Sequence, residues 1–67
     1  MKKERRLTKE FRMIGMTQKA VAEKIGTTKE VVSNWARGAA NISPLFVMKL
    51  KEIGIPEKAI RNPSELV

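Results

Sequence analysis

A break at Gly26 between two short helical segments limits most strongly what this chain can fold into. Residues 17–38 read TQKAVAEKIGTTKEVVSNWARG. Apolar residues at helical spacing follow Thr17, stop at Gly26, resume at once and end before Gly38. Glycine adopts the left-handed turn conformation that other residues adopt only at a cost. The pattern therefore predicts two short helices joined by about three residues, which is the helix-turn-helix arrangement.

The rest of the chain predicts further helices, since it shows neither strand alternation nor an internal repeat. The fold class expected is all-α, a compact single domain with helices over residues 5–14, 18–25, from a cap at Thr27 or Thr28 to Gly38, 44–53 and 56–61. In the first helix, Leu7, Phe11 and Ile14 share one face. Ser43 as a cap with Pro44 at the first helical position predicts the start of the fourth. The last residues, NPSELV, are expected to add one turn or to fray.

Capping residues and small residues define the two central helices. Thr17 is expected to cap the first of them, and Thr27 with Glu30 fits a capping box at the start of the second. The small side chain of Ala22 lets the two helices approach closely. The structural residues of the corner, expected to be buried against the other helices, are Val21, Ala22, Ile25, Val32 and Trp35, with Gly26 at the turn.

Composition argues against an enzyme. The 67 residues contain no Cys, His or Asp. The chain therefore has no disulfide, no thiol nucleophile, no conventional catalytic triad and no ordinary transition-metal site. Its isolated glycines form no phosphate-binding loop. We expect no catalytic residues, no metal, no cofactor and no small-molecule ligand.

Charge points to a polyanionic partner. Fourteen Lys and Arg against seven Glu give a net charge of +7, and six of those bases lie within residues 1–12. Nucleic acid is the first candidate and an anionic membrane surface the second, while a charge excess that only aids solubility is the alternative. We expect a basic N-terminal arm at residues 1–6 and a C-terminal tail at residues 62–67. No apolar segment is long enough for a signal peptide or a membrane span, so we expect a soluble, intracellular protein without a membrane partner.

The third helix presents polar residues on the side that the core does not use. These residues are Lys29, Glu30, Ser33, Asn34 and Arg37. Ser and Asn are weaker helix formers than Glu or Lys, so a helix that needed only solubility would more often carry Glu and Lys at these positions. An ordinary helical hairpin with a solvated outer face is the alternative.

The same stretch resembles the helix-turn-helix of the phage-repressor and Cro superfamily, which includes the Xre-type bacterial regulators. The residues that match are Thr17, Gln18, Ala22, Gly26, Val32, Ser33, Trp35 and Gly38. The resemblance extends over about residues 5–61 and implies a five-helix lambda-repressor-like domain that binds operator DNA. Two departures stand out. Phe11 occupies a position where many relatives carry arginine, with Arg12 one place later. The loop after Gly38 lacks the usual basic residues.

The resemblance also implies roles for individual residues. Base contacts are expected from Lys29, Glu30, Ser33 and Asn34, and phosphate contacts from Thr17, Gln18, Thr28, Arg37 and Asn41. Lys29 would reach guanine O6 and N7 or a nearby phosphate, and Asn34 would pair with adenine N6 and N7. Gln18 would also brace Lys29. For Glu30, acceptance from cytosine N4, orientation of Lys29 and plain capping stay open.

The expected function is that of a sequence-specific regulator of transcription that binds double-stranded DNA. It would be a Cro-like or Xre-type repressor on a palindromic operator, in the cytoplasm and nucleoid of a prokaryotic or phage-infected cell. A weak homodimer is expected through apolar residues after Gly54, namely Ile55, Ile60, Leu66 and Val67. The alternative is an antitoxin-type module that masks a toxin and binds DNA secondarily. Exposed aromatic residues, typical of RNA binders, are not expected.

Overall fold

Five helices make up the chain over residues 3–67, the range that the computed structural model describes. They are α1 (Arg6–Met13), α2 (Gln18–Ile25), α3 (Lys29–Arg37), α4 (Pro44–Glu52) and α5 (Glu57–Arg61). The predicted all-α, five-helix fold is confirmed, with several helix ends displaced by one residue. Within the described range, no helix combines the length and the apolar character needed to cross a bilayer.

The turn between α2 and α3 depends on Gly26. Its φ of 84° is left-handed, and the backbone N–H groups of Gly26 and Thr27 both donate to the Ala22 carbonyl, at 2.9 and 2.8 Å. These bonds satisfy a carbonyl at the end of α2 within the turn itself. The turn is short, and α3 begins three residues after Gly26. Ala22 is 2% exposed, and α2 packs more closely on α3 than on any other helix.

Threonine side chains cap α2 and α3, whereas Ser43, the predicted cap of α4, occupies the cap position without a side-chain hydrogen bond. Thr17 Oγ1 accepts from the Ala20 N–H at 3.1 Å, as predicted. For α3 the cap is Thr28, whose Oγ1 accepts from the Val31 N–H at 3.3 Å. The predicted capping box of Thr27 with Glu30 is therefore wrong, because α3 begins one residue too late for it.

A single hydrophobic core lies between the helices. Its buried residues are Leu7, Phe11, Val21, Ala22, Ile25, Val32, Trp35, Ala36, Leu50, Ile55, Ala59 and Ile60. Trp35 packs against Phe46 with ring centroids 5.3 Å apart. Ile14, predicted to share the face of Leu7 and Phe11, is 37% exposed, because α1 ends at Met13 and the chain leaves the helical path there.

Residues 4–7 and 63–67 pair with each other, and we call this pairing the terminal clasp. Glu4 and Val67 exchange backbone hydrogen bonds of 3.1 and 2.9 Å, and the Arg6 N–H donates to the Glu65 carbonyl at 2.7 Å. The tail therefore neither adds a helical turn nor frays. Residues 4–6 of the expected basic arm are part of the clasp, while residues 1 and 2 lie outside the described range.

Candidate nucleic-acid interface

Five side chains of α3 line one shallow depression of about 200 Å³, and we call them the recognition face. They are the five polar residues picked out in the sequence, Lys29, Glu30, Ser33, Asn34 and Arg37. The opposite side of α3 buries Val32, Trp35 and Ala36. Because that side closes the core, the helix cannot rotate without exposing Trp35, and the polar residues are held toward solvent.

Both ends of α3 are fixed by local hydrogen bonds. Thr28 caps the start, and Gly38 ends the helix with a φ of 80°. Beyond Gly38, the Ala39 N–H donates to the Asn34 carbonyl at 2.9 Å, and the Gly38 N–H donates to the Trp35 carbonyl at 3.1 Å. This is the Schellman pattern, which satisfies end carbonyls of the helix. The backbone that carries the recognition face is therefore hydrogen-bonded from its first residue to its last.

Within the recognition face, Arg37 Nη2 donates a hydrogen bond to Asn34 Oδ1. Sequence reasoning missed this contact, although the spacing of three residues on a helix is the signal that indicates it. Glu30 makes neither an ion pair nor a side-chain hydrogen bond with Lys29 in the part of the chain described. Glu30 lies in the first turn of α3, where a carboxylate favours the positive end of the helix.

The start of α2 forms a second surface. Thr17 and Gln18 line a groove of about 370 Å³ together with Thr8, Phe11, Arg12, Gly15 and Met16. Gln18 Nε2 donates to Thr8 Oγ1 at 3.5 Å. Among the described residues, Gln18 makes no hydrogen bond with Lys29, which it was expected to brace. Its side-chain amide points toward α1 instead of α3.

An ion pair that the sequence did not indicate lies at the edge of this groove. Arg12 Nη2 lies 2.5 Å from Glu4 Oε1. The hydrogen bond from Arg12 holds the pKa of the Glu4 carboxyl below its usual value. Arg6 pairs in the same way with Glu65 across the terminal clasp. Two of the bases in residues 1–12 are thus engaged by carboxylates, so this segment offers less free charge than its composition suggests.

Asn41 lies apart from both surfaces. It is exposed and lines a polar groove shared with the loop before α4 and with residues 60–65. The structure therefore brings the predicted base-contact residues and Arg37 together, places Thr17 and Gln18 in a separate groove, and leaves Asn41 in a third.

A family model described as helix-turn-helix matches residues 9–53, more than half of the chain. The matched range contains α2, the turn at Gly26, α3 and the recognition face. The chain belongs to the Cro/C1-type helix-turn-helix family. It is a DNA-binding regulator of transcription, and the family is one of regulatory domains rather than enzymes. Neither the curated proteins nor the solved structures provide a match to this sequence. In this Cro/C1-type regulator, residues 4–7 and 63–67 of the terminal clasp lie outside the matched range.

Proposed function

We propose that this protein is a repressor of the Cro-like or Xre type, which recognises a palindromic operator in double-stranded DNA at the nucleoid of a prokaryotic or phage-infected cell. The observation that carries the proposal is the recognition face, five polar side chains on one side of a helix that is capped at both ends. An α-helix fits the major groove of B-DNA, where every base pair presents a distinct pattern of donors and acceptors.

The side chains divide by chemistry within this proposal. Lys29 donates to guanine O6 and N7, Asn34 reads adenine, and Ser33 contacts a neighbouring base edge. Glu30 accepts from cytosine N4, which fits a carboxylate that has no cationic partner among residues 3–67. Phosphates are contacted at the start of α2 and around α3 by Thr17, Gln18, Thr28, Arg37 and Asn41.

Selection of bound duplexes from random DNA, read by sequencing, tests this function. We expect a symmetric consensus whose half-sites are about one helical turn apart. Enrichment without any base preference would contradict the sequence-specific function, and the absence of enrichment would contradict DNA binding altogether. The matched control is the Lys29→Ala variant, which should lose the preference at one base pair in each half-site.

We propose a weak homodimer as the form that binds. One helix-turn-helix reads only a few base pairs, and two-fold symmetry doubles the site. Ile55 and Ile60 are buried in the core, so they are not available for the dimer surface. Leu66, which is 53% exposed, and Val67 are the residues that remain. A charge of +7 on each copy opposes association, and DNA removes much of that repulsion.

Sedimentation of the free protein and of its complex with the selected palindrome tests the dimer. We expect mostly monomer without DNA and two copies on each palindrome. Leu66→Ser should reduce the cooperativity with which two copies bind one palindrome. The control Met48→Ser, at a residue that is 64% exposed on α4, should not. Truncation of the tail is not a clean test, because it would also remove the clasp from residues 4–7. One copy per palindrome at saturation would refute the dimer.

The second candidate is an antitoxin-type module that binds a protein partner through an apolar surface. The exposure of Leu66 favours it, but the backbone around Leu66 is already paired with residues 4–6. The tail is therefore not a free apolar segment. We prefer the DNA-binding function because the chain belongs to a family of DNA-binding regulators and the polar side chains of the recognition face can pair with base edges in the major groove.

A further inference from the structure

The hydrogen bond between Arg37 and Asn34 bears on which of these residues determines specificity. Arg37 Nη2 donates to Asn34 Oδ1, and both side chains line the depression of the recognition face. No carboxylate of residues 3–67 forms a salt bridge with Arg37. The asparagine amide is thus the group to which the guanidinium is directed in this structure.

The hydrogen bond from Arg37 is compatible with only one of the two orientations of the Asn34 side-chain amide. The amide carries an acceptor oxygen and a donor nitrogen, and a rotation of 180° exchanges them. The guanidinium has donors and no acceptor. It therefore attracts the oxygen and repels the amino group. Since the Asn34 backbone is fixed by the Schellman pattern at Gly38, the positions of donor and acceptor on α3 are both defined.

A fixed orientation has a consequence for base reading. In the major groove, adenine presents N7 as an acceptor beside N6 as a donor, and this order is reversed when the A·T pair is reversed. An asparagine that rotates freely can adapt to either order. An asparagine whose amide oxygen is held on the Arg37 side can pair with only one of these two orders of donor and acceptor.

We propose that Arg37 is a positioning residue, which acts through Asn34 and makes the protein distinguish A·T from T·A at the position that Asn34 reads. The proposal rests on the proposed function and changes the role of Arg37 within it. Arg37 acts on one base pair, in addition to any attraction to phosphate that it shares with other basic residues.

The test is a binding profile across all four base pairs at the Asn34-dependent position, in the selected operator. The Arg37→Met variant keeps most of the apolar stem and removes the donor and the charge. We expect it to lose most of the preference for A·T over T·A, a change on the order of tenfold. Asn34→Ala should lose the same preference, and the double variant should lose no more than Asn34→Ala alone. Arg37→Lys should restore part of the preference, since its ammonium group can also donate to the amide oxygen.

A charge control and a spectroscopic readout separate positioning from other effects. Lys58→Met removes one positive charge from an exposed site on α5 and should leave the preference unchanged. In the free protein, Arg37→Met should move the side-chain NH₂ resonances of Asn34 without a change in the thermal midpoint. A uniform loss of affinity in Arg37→Met, with the A·T preference intact, would overturn the proposal. So would an Asn34→Ala variant that keeps every base preference. The proposed function itself fails only if the wild-type protein shows no base preference.

Discussion

Replacement of Gly38 by alanine should destabilise the protein more than the same change at Gly15. Both glycines have positive φ, 80° at Gly38 and 74° at Gly15, and nothing lies within 4 Å of a Cβ at Gly15. At Gly38 a Cβ would lie 3.0 Å from Ser64 Oγ and 3.1 Å from Ser64 Cβ. Gly15→Ala therefore measures backbone strain alone, whereas Gly38→Ala adds a steric conflict with the terminal clasp.

The expected magnitudes follow from these two contributions. Left-handed backbone costs an alanine about 1–2 kcal/mol, and the smaller entropy of the unfolded chain returns about 0.4–1 kcal/mol. Gly15→Ala should thus cost about 1 kcal/mol. A shift of Ser64 typically adds about 1–3 kcal/mol, the cost of overpacking. Gly38→Ala should cost about 2–4 kcal/mol, out of a total of roughly 3–10 kcal/mol for a domain of this size.

Urea unfolding followed by circular dichroism measures the free energy of unfolding for each variant. In a Ser64→Gly background, which removes both atoms that a Cβ would meet, Gly38→Ala should cost no more than Gly15→Ala does. The cost of Gly38→Ala in the wild-type background minus its cost in the Ser64→Gly background is the coupling energy between positions 38 and 64. Equal effects of the two alanines in the wild-type background, or a coupling energy near zero, would refute the reasoning.

Three further predictions concern charge. The affinity for duplex DNA should fall steeply with salt, with a log–log slope of several units at about 0.9 per phosphate neutralised, and a flat profile would contradict it. Glu4→Gln should release Arg12, raise the affinity and steepen that slope by about one unit, whereas a variant that binds like the wild type would show that Arg12 contacts no phosphate. The pKa values of Glu4 and Glu57 lie below their usual range through hydrogen bonds from Arg12 and Lys51. Their stabilising effect is complete above the ordinary carboxyl pKa and is lost as pH falls through the lowered values, so the Glu4→Gln and Glu57→Gln variants should lose less stability between neutral and acid pH than the wild type.

Local rules were sufficient to predict the helix-turn-helix. The cap at Thr17, the left-handed turn at Gly26 and the apolar side of α3 on which Trp35 lies depend on residues no more than a few positions away. Propensity, capping and periodicity act over that range. The five side chains of the recognition face could be picked out for the same reason, since once Val32 and Trp35 are buried the opposite side of the helix is determined.

The contacts that the sequence did not reveal depend on tertiary geometry. Arg6 and Glu65 are 59 residues apart, and no local pattern pairs them. The clasp forms because α1 and α5 pack together and bring the chain ends side by side. It in turn places Glu4 beside Arg12. The helical pattern continues through Ile14 and places it on the face of Leu7 and Phe11, whereas the helix itself stops one residue earlier.

Nuclear magnetic resonance of the isotope-labelled protein, titrated with the selected duplex, tests most directly that α3 carries the DNA-binding surface. The largest chemical-shift changes should fall on the recognition face and on Thr17 and Gln18, with side-chain signals of Asn34 and Arg37 among them. The core residues around Leu50 should change little. Changes concentrated on the exposed side of α4, around Leu45 and Met48, with α3 unaffected, would contradict the account.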